Sequence, residues 1–283
     1  MSRRTLAVFF CLAGVTTIIA QQKPDFSGEW KLNRQASTLS PLVAPAAQRS
    51  HRSCFLRYSD DTVARRKGTI RVAYDAGMSG ITIVALGDST TAGTPGFKSP
   101  LESPPNGDGN IESQYTYWLT QKHEDWQVLN RGVNGERSDQ IRARFDRDVL
   151  DAEPAAVVII AGVNDIYQGR AADAVQRELE AMYVAAQAAR IQVVAGTIIP
   201  FDTATPDQNA RMHAVNAWIR EYSGRHDGVT LCDTRAAVSA PGQADRLVTS
   251  PDGLHPSPEG YARMATALEP AIRAALAKAR SLR

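Results

Sequence analysis

The stretch Ile81-Thr-Ile-Val-Ala-Leu86-Gly87-Asp88-Ser89 decides how this chain reads. A short, mostly apolar run rich in β-branched residues is the signature of a strand buried on both faces. The glycine at its end lets the backbone turn sharply. A serine just past the end of such a strand stands where open α/β sheets bind ligands, outside the carboxyl end.

Downstream of residue 79, strand and helix signals alternate. Ile81–Leu86 reads as the first strand, Glu112–His123 as a helix and Trp126–Asn130 as the second strand. Ser138 is placed to cap a helix over Asp139–Asp148, with Ile141 and Phe145 one turn apart. Ala155–Ile160 is the third, central strand, and Asp173–Ala189 a long helix with Val175, Leu179, Met182 and Ala186 at helical spacing. Ile191–Ile199, a helix over Asp207–Ser223, the short strand Val229–Cys232 and a closing helix from Pro258 to Leu282 complete the pattern. Such alternation predicts a parallel sheet covered by helices on both faces, with right-handed connections.

Four short pieces carry chemistry. Ser89 needs a neighbouring base before it is a useful nucleophile. Taken alone, it equally suits a turn or a helix N-cap. A phosphate loop is also conceivable beside Gly87, Gly93 and Gly96, but the lysine and terminal Ser/Thr are missing at the required spacing. The second piece, Asn130-Arg-Gly-Val-Asn-Gly135-Glu-Arg-Ser138, follows strand two. Gly135 there can offer a backbone N–H to an oxyanion, or simply make a turn. The third, Ala161-Gly-Val-Asn164-Asp165, follows strand three. Asn164 can aim its carboxamide at the same point, or cap a helix as Asp165 also could. The fourth, Asp252-Gly-Leu-His255-Pro256, lets one tight loop hold carboxylate and imidazole together. Asp252 then fixes the tautomer while the other ring nitrogen faces Ser89. The bland alternative is a surface turn. His51, His123, His213 and His226 lie in helices or polar segments and suggest nothing further.

Each piece is weak by itself; four in this order are specific. Residues 80–280 resemble the SGNH, or GDSL, hydrolase family. Gly87-Asp88-Ser89 matches its nucleophile motif, Gly135 its glycine, Gly162-x-Asn164-Asp165 its asparagine motif and Asp252-x-x-His255 its closing motif. The resemblance implies a three-layer α/β/α sandwich with a flavodoxin-like, five-stranded parallel sheet. It also implies Ser89 as nucleophile, His255 as base and Asp252 as orienting acid, with an oxyanion hole from the Ser89 and Gly135 amides and the Asn164 side chain. No metal or organic cofactor is implied. One departure is visible: Thr90 stands where the family motif has leucine after the serine.

The rest of the chain sets limits. Its 283 residues suit one sizeable α/β domain with extra material, and 43% hydrophobic and 22% charged residues are ordinary for a soluble globular protein. A net charge of +2, traceable to Arg3 and Arg4, does not suggest a nucleic-acid partner. Ser2-Arg-Arg4, the apolar run Leu6–Ala20 and the polar Gln21-Gln22-Lys23-Pro24 form the pattern of a secretory signal peptide ending at Ala20. A secreted or periplasmic protein is expected, a retained membrane anchor being the alternative. Cys11 lacks the small-residue box of a lipid-bearing cysteine. Residues 21–78 read as a poorly ordered arm or linker, in which Arg49, Arg52, Arg57, Arg65, Arg66, Lys67 and Arg71 outnumber Asp60, Asp61 and Asp75. An anchor to acidic polymers or anionic lipid is its sharper reading. Cys54 and Cys232 could pair after export, although free or buried thiols are the simpler expectation.

The expected activity is hydrolysis of carboxylic esters through an acyl-enzyme on Ser89. The expected substrates are small-molecule or carbohydrate esters with short, acetyl-like acyl groups. The Pro/Gly-rich segment Thr94–Asn110, with Phe97 and Leu101, is expected to shape the pocket. The enzymatic rival is a lysophospholipase or thioesterase for longer chains. Rivals of another class are a catalytically silent binding module and a flavodoxin-like nucleotide binder.

Overall fold

The computed structural model describes residues 80–281. The expected leader over residues 1–20 and arm over 21–78, with Cys11 and Cys54, lie outside the described residues.

Five parallel strands form the central sheet: β1 (Ile81–Gly87), β2 (Trp126–Gly132), β3 (Ala156–Ile160), β4 (Gln192–Gly196) and β5 (Val229–Cys232). Their spatial order is β2-β1-β3-β4-β5. Ile81 lies opposite Trp126 and Gly87 opposite Gly132, while Ile83 pairs with Ala156 on the other side of β1. The chain therefore runs from β1 to one side and returns past it to β3. This reversal opens a crevice above the carboxyl ends of the strands. The flavodoxin-like parallel sheet implied by the family resemblance is the one observed.

Alternating side chains on the strands feed two cores. Val84, Leu86, Val157 and Ile159 face Ile141 of α3 (Ser138–Ala143), Leu179 and Met182 of α6 (Ala172–Ala188) and Ile219 of α7 (Pro206–Arg225). Ile83, Ala85, Val158 and Ile160 face Tyr115 and Leu119 of α2 (Tyr115–Lys122), and Tyr261, Met264 and Leu268 of α9 (Pro258–Ser281). The remaining helices are short: α1 (Ser89–Ala92), α4 (Phe145–Asp148), α5 (Val163–Tyr167) and α8 (Thr234–Val238). Among the described residues, no helix is long and apolar enough to cross a membrane.

Several elements differ from their sequence reading for physical reasons. The helix expected from Glu112 starts only at Tyr115, after a 3₁₀ turn at Ile111–Ser113 and an extended Gln114. The Gln114 carboxamide oxygen accepts bonds from Asn130 Nδ2 (2.7 Å) and Thr116 Oγ1 (2.7 Å). Ser138 does not cap α3. Its amide and hydroxyl instead both donate to Asp165, each at 2.8 Å. The helix expected over Asp139–Asp148 breaks at Arg144, whose side chain turns inward onto strand ends. The fourth strand stops at Gly196. Beyond it, Asn216 takes the place of a neighbouring strand: its carboxamide accepts from Ile198 N (2.7 Å) and donates to Ile198 O (2.9 Å).

Candidate active site

The turn after β1 is built around small residues. A Cβ on Gly87 would meet Thr91 Oγ1 at 2.3 Å and the Ile160 carbonyl at 2.4 Å, so only glycine fits between β1, α1 and β3. Asp88 caps α1 by accepting from Thr90 N at 2.9 Å. Its other carboxyl oxygen is buried without a partner. Burial, reinforced by the charge of Asp165, pushes the Asp88 carboxyl up to about 7, although bonds from Thr90 pull the other way. Ser89 opens α1 and is buried to 4% exposure.

The loop after β2 lies at the same end of the sheet. Gly135 adopts φ +78°, a left-handed conformation that disfavours any side chain, and a Cβ there would meet nothing within 4 Å. The space on that side of the residue is open. Asn164, in α5 directly after β3, donates from Nδ2 to the Glu136 carbonyl at 2.9 Å. The carboxamide is therefore tied to the residue following Gly135. Below it, Asp165 accepts from Ser138 and from Arg170 Nη1 (2.8 Å), joining α5 to the start of α3.

The histidine loop braces itself. One oxygen of Asp252 accepts from the amides of Leu254 (2.9 Å) and His255 (2.8 Å), and the other bonds His255 Nδ1 at 2.7 Å. Ser250 accepts from Gly253 N (2.8 Å) and donates to the His255 carbonyl (2.6 Å). From outside, Asp202 N donates to Gly253 O at 2.7 Å. Partial burial pushes the Asp252 carboxyl up, but the bonds from His255 and Leu254 outweigh it and hold the group below its ordinary value. A carboxylate on Nδ1 favours the tautomer with its proton there, leaving Nε2 as the basic nitrogen. His255 is 5% exposed, and its Nε2 is buried with no hydrogen-bond partner.

These pieces occupy one end of the sheet. Tyr261 of α9 donates to Thr94 O at 3.1 Å, just beyond the turn that bears Ser89. Burial raises its phenol well above the ordinary value, and the charges of Asp88 and Asp252 both raise it further. α9 thus links the turn bearing Ser89 with the loop bearing His255. The structure joins Asp252 to His255 directly and Gly135 to Asn164 through Glu136. It shows no hydrogen bond between Ser89 and His255, whose Nε2 is unoccupied.

Other residues at the site escape a local reading of the sequence. Glu102, from the segment after Ser89, accepts from Asn134 N (2.9 Å) and Ser99 N (2.9 Å), and Ser99 Oγ donates to Gly132 O (2.6 Å). The Pro/Gly-rich segment is therefore fastened to the loop that carries Gly135. Its Phe97 is buried beside α2 and β2, at a groove also lined by Gln114, Thr116 and Leu129. Arg144 reaches the same loop through Glu136. Neither Glu102 nor Arg144 has a neighbour in sequence that signals its role. Cys232 is a free, buried thiol, which burial pushes up to about 12.

Comparison with known proteins agrees with this architecture. The model of the GDSL-like lipase/acylhydrolase family matches residues 85–263. A lipolytic protein of the G-D-S-L family from Desulfitobacterium hafniense is similar in structure, with TM-score 0.56 and 24% identity over 68% of this chain and 99% of that one. An acetylxylan esterase from Geobacillus stearothermophilus has TM-score 0.55 and 20% identity over 69% of this chain and 95% of its own. At these identities the likeness is one of fold. An uncharacterized lipoprotein of Bacillus subtilis, YqeF, is 31% identical over 87 residues, which span 29% of this chain and only 31% of the lipoprotein.

Proposed function

The chain belongs to the GDSL-like lipase/acylhydrolase family, and from that premise we propose that it hydrolyses carboxylic esters through an acyl-enzyme on Ser89. One observation carries the reading: His255 is clamped by Asp252 through Nδ1 while its buried Nε2 has no partner. An imidazole so held is oriented and free to accept a proton.

In the proposed reaction, Ser89 Oγ attacks the ester carbonyl carbon and its proton passes to His255 Nε2. The carbonyl oxygen becomes an oxyanion that accepts bonds from the amides of Ser89 and Gly135 and from Asn164 Nδ2. Asn164 spends one amide hydrogen on Glu136 O, which leaves the second for the oxyanion. The intermediate collapses, the bond to the alcohol oxygen breaks, and His255 returns the proton to the leaving alcohol. Water then attacks the acyl carbon and loses a proton to His255; as the intermediate collapses, the bond to Ser89 Oγ breaks, His255 returns that proton to Oγ, and the carboxylic acid departs. Asp252, held ionised by its three bonds, stabilises the imidazolium at both stages.

The substrates we propose are esters of short acyl groups, acetyl above all, on small molecules or carbohydrates. The support is twofold. Gly135 lies open at the surface, and Phe97 of the inserted segment is packed away beside α2 and β2. A series of p-nitrophenyl esters from acetate to palmitate, run on the wild type and on Ser89→Ala, tests this. The highest kcat/KM is expected for acetate or butyrate, with only residual turnover in the variant. A maximum at laurate or beyond overturns the short-acyl assignment, and full activity in Ser89→Ala overturns the mechanism.

A further inference from the structure

One buried guanidinium bonds the ends of both β1 and β2 and the loop that carries Gly135. Arg144 is 8% exposed. Its Nη2 donates to the Gly87 carbonyl (2.9 Å), the last of β1 and two residues before Ser89. Its Nη1 donates to the Arg131 carbonyl (2.9 Å) near the end of β2, and to Asp148 Oδ2 (2.6 Å). Its Nε donates to Glu136 Oε2 (2.7 Å). Glu136 follows Gly135, and its own carbonyl receives the Asn164 carboxamide. The Gly87 carbonyl also accepts from Val133 N (3.2 Å), so the ends of β1 and β2 and the loop 133–137 share one anchor.

We infer that Arg144, acting through Glu136, is a positioning residue that sets the Gly135 amide and the Asn164 carboxamide against the Ser89 amide. The inference rests on the acyl-enzyme reading above and deepens it. Loop 133–137 has little support of its own: within it the one backbone bond is Glu136 N to Val133 O, a long 3.4 Å. Its geometry must come from outside: Glu102 holds Asn134 N, Asn164 holds the Glu136 carbonyl, and Arg144 alone ties the loop, through Glu136, to the ends of both β1 and β2. A planar guanidinium can serve four acceptors in fixed directions, which the single ammonium of a lysine cannot. The oxyanion donors matter most in the transition state, so their displacement lowers turnover while leaving ground-state binding almost untouched. A merely structural arginine would instead lower thermal stability and the fraction of folded protein, with each folded molecule turning over at the normal rate.

The experiment compares wild type, Arg144→Lys, Glu136→Ala and the remote control Arg177→Gln, with active sites titrated by a fluorophosphonate, and Ser89→Ala at equal protein concentration. Glu136→Ala keeps the backbone carbonyl that binds Asn164 and removes only the link to Arg144. Misplacing catalytic groups by about 1 Å can cost on the order of a hundredfold. On that scale, kcat per titrated site for acetyl esters is expected to fall roughly tenfold in Glu136→Ala and further in Arg144→Lys. KM is expected to stay near the wild-type value, and Arg177→Gln to match wild type in both. Wild-type kcat per site in Glu136→Ala, whatever its melting temperature, overturns the positioning role, and this holds even if Arg144→Lys does not fold. Undiminished turnover in Ser89→Ala is a different failure: it removes the acyl-enzyme reading and the inference with it.

Discussion

The turn bearing Ser89 and the loop bearing His255 each place an aspartate beside a proposed catalytic residue, yet the two carboxyls live in opposite surroundings. Asp88 is buried, accepts from Thr90 N, and leaves one oxygen without a partner, so burial pushes it up to about 7. Asp252 is partly open to solvent and takes three bonds from its own loop, which hold it below the ordinary carboxylate value. Identical side chains are thus driven to different charge states by how many donors each meets and how much water each keeps. Environments that separate pKa values in this way separate roles. Asp252 is suited to stand as an anion beside an imidazole that gains and loses a proton. Asp88 is suited to shape a turn while remaining largely uncharged below neutrality.

The contrast can be broken by the same substitution at both positions. An asparagine in place of Asp252 can still accept the Leu254 and His255 amides, but it cannot stabilise an imidazolium or enforce the tautomer. Asp252→Asn is therefore expected to cut kcat on the order of ten-thousandfold with the fold retained, as measured by ester hydrolysis and circular dichroism. Equal, modest losses in Asp252→Asn and Asp88→Asn would dissolve the distinction.

The smaller effect is on stability. In the unfolded chain Asp88 ionises near 3.8, and in the folded protein near 7. Between those values the folded state holds a proton that the unfolded state has released, so this group makes stability fall as pH rises through that window. The carboxamide introduced by Asp88→Asn does not titrate. The stability of wild type relative to that variant should therefore decline from pH 4 to pH 8, by an amount on the order of 4 kcal/mol. Urea unfolding of both proteins across that range measures it. A difference that is flat, or that rises with pH, would show that Asp88 is ionised throughout.

The two regions also differ in how much of them could be read from residues alone. The histidine loop is local: Asp252, Leu254 and His255 bond one another within four positions, so the motif and the geometry coincide. The strand alternation was legible for a similar reason, because each buried run reports its own environment. The loop bearing Gly135 is supported from far away by Glu102 and Asn164, and by Arg144 eight positions beyond Glu136. No spacing in the sequence links those residues. Ser138 illustrates the same limit: a serine at a helix start suggested a cap, and a buried Asp165 from another strand's loop claimed it instead. The upward push on Asp88 was equally invisible, since it comes from burial in a fold that brings Tyr115 of α2 and Tyr261 of α9 near it.

The most direct test asks whether His255 activates Ser89. Wild type and His255→Ala would be exposed to a limiting, then saturating, fluorophosphonate, and the modified peptide identified by mass spectrometry. Stoichiometric modification of the wild type at Ser89, abolished or slowed by orders of magnitude in His255→Ala, is the predicted result. Labelling at another residue, or at Ser89 with the same rate in both proteins, would contradict it.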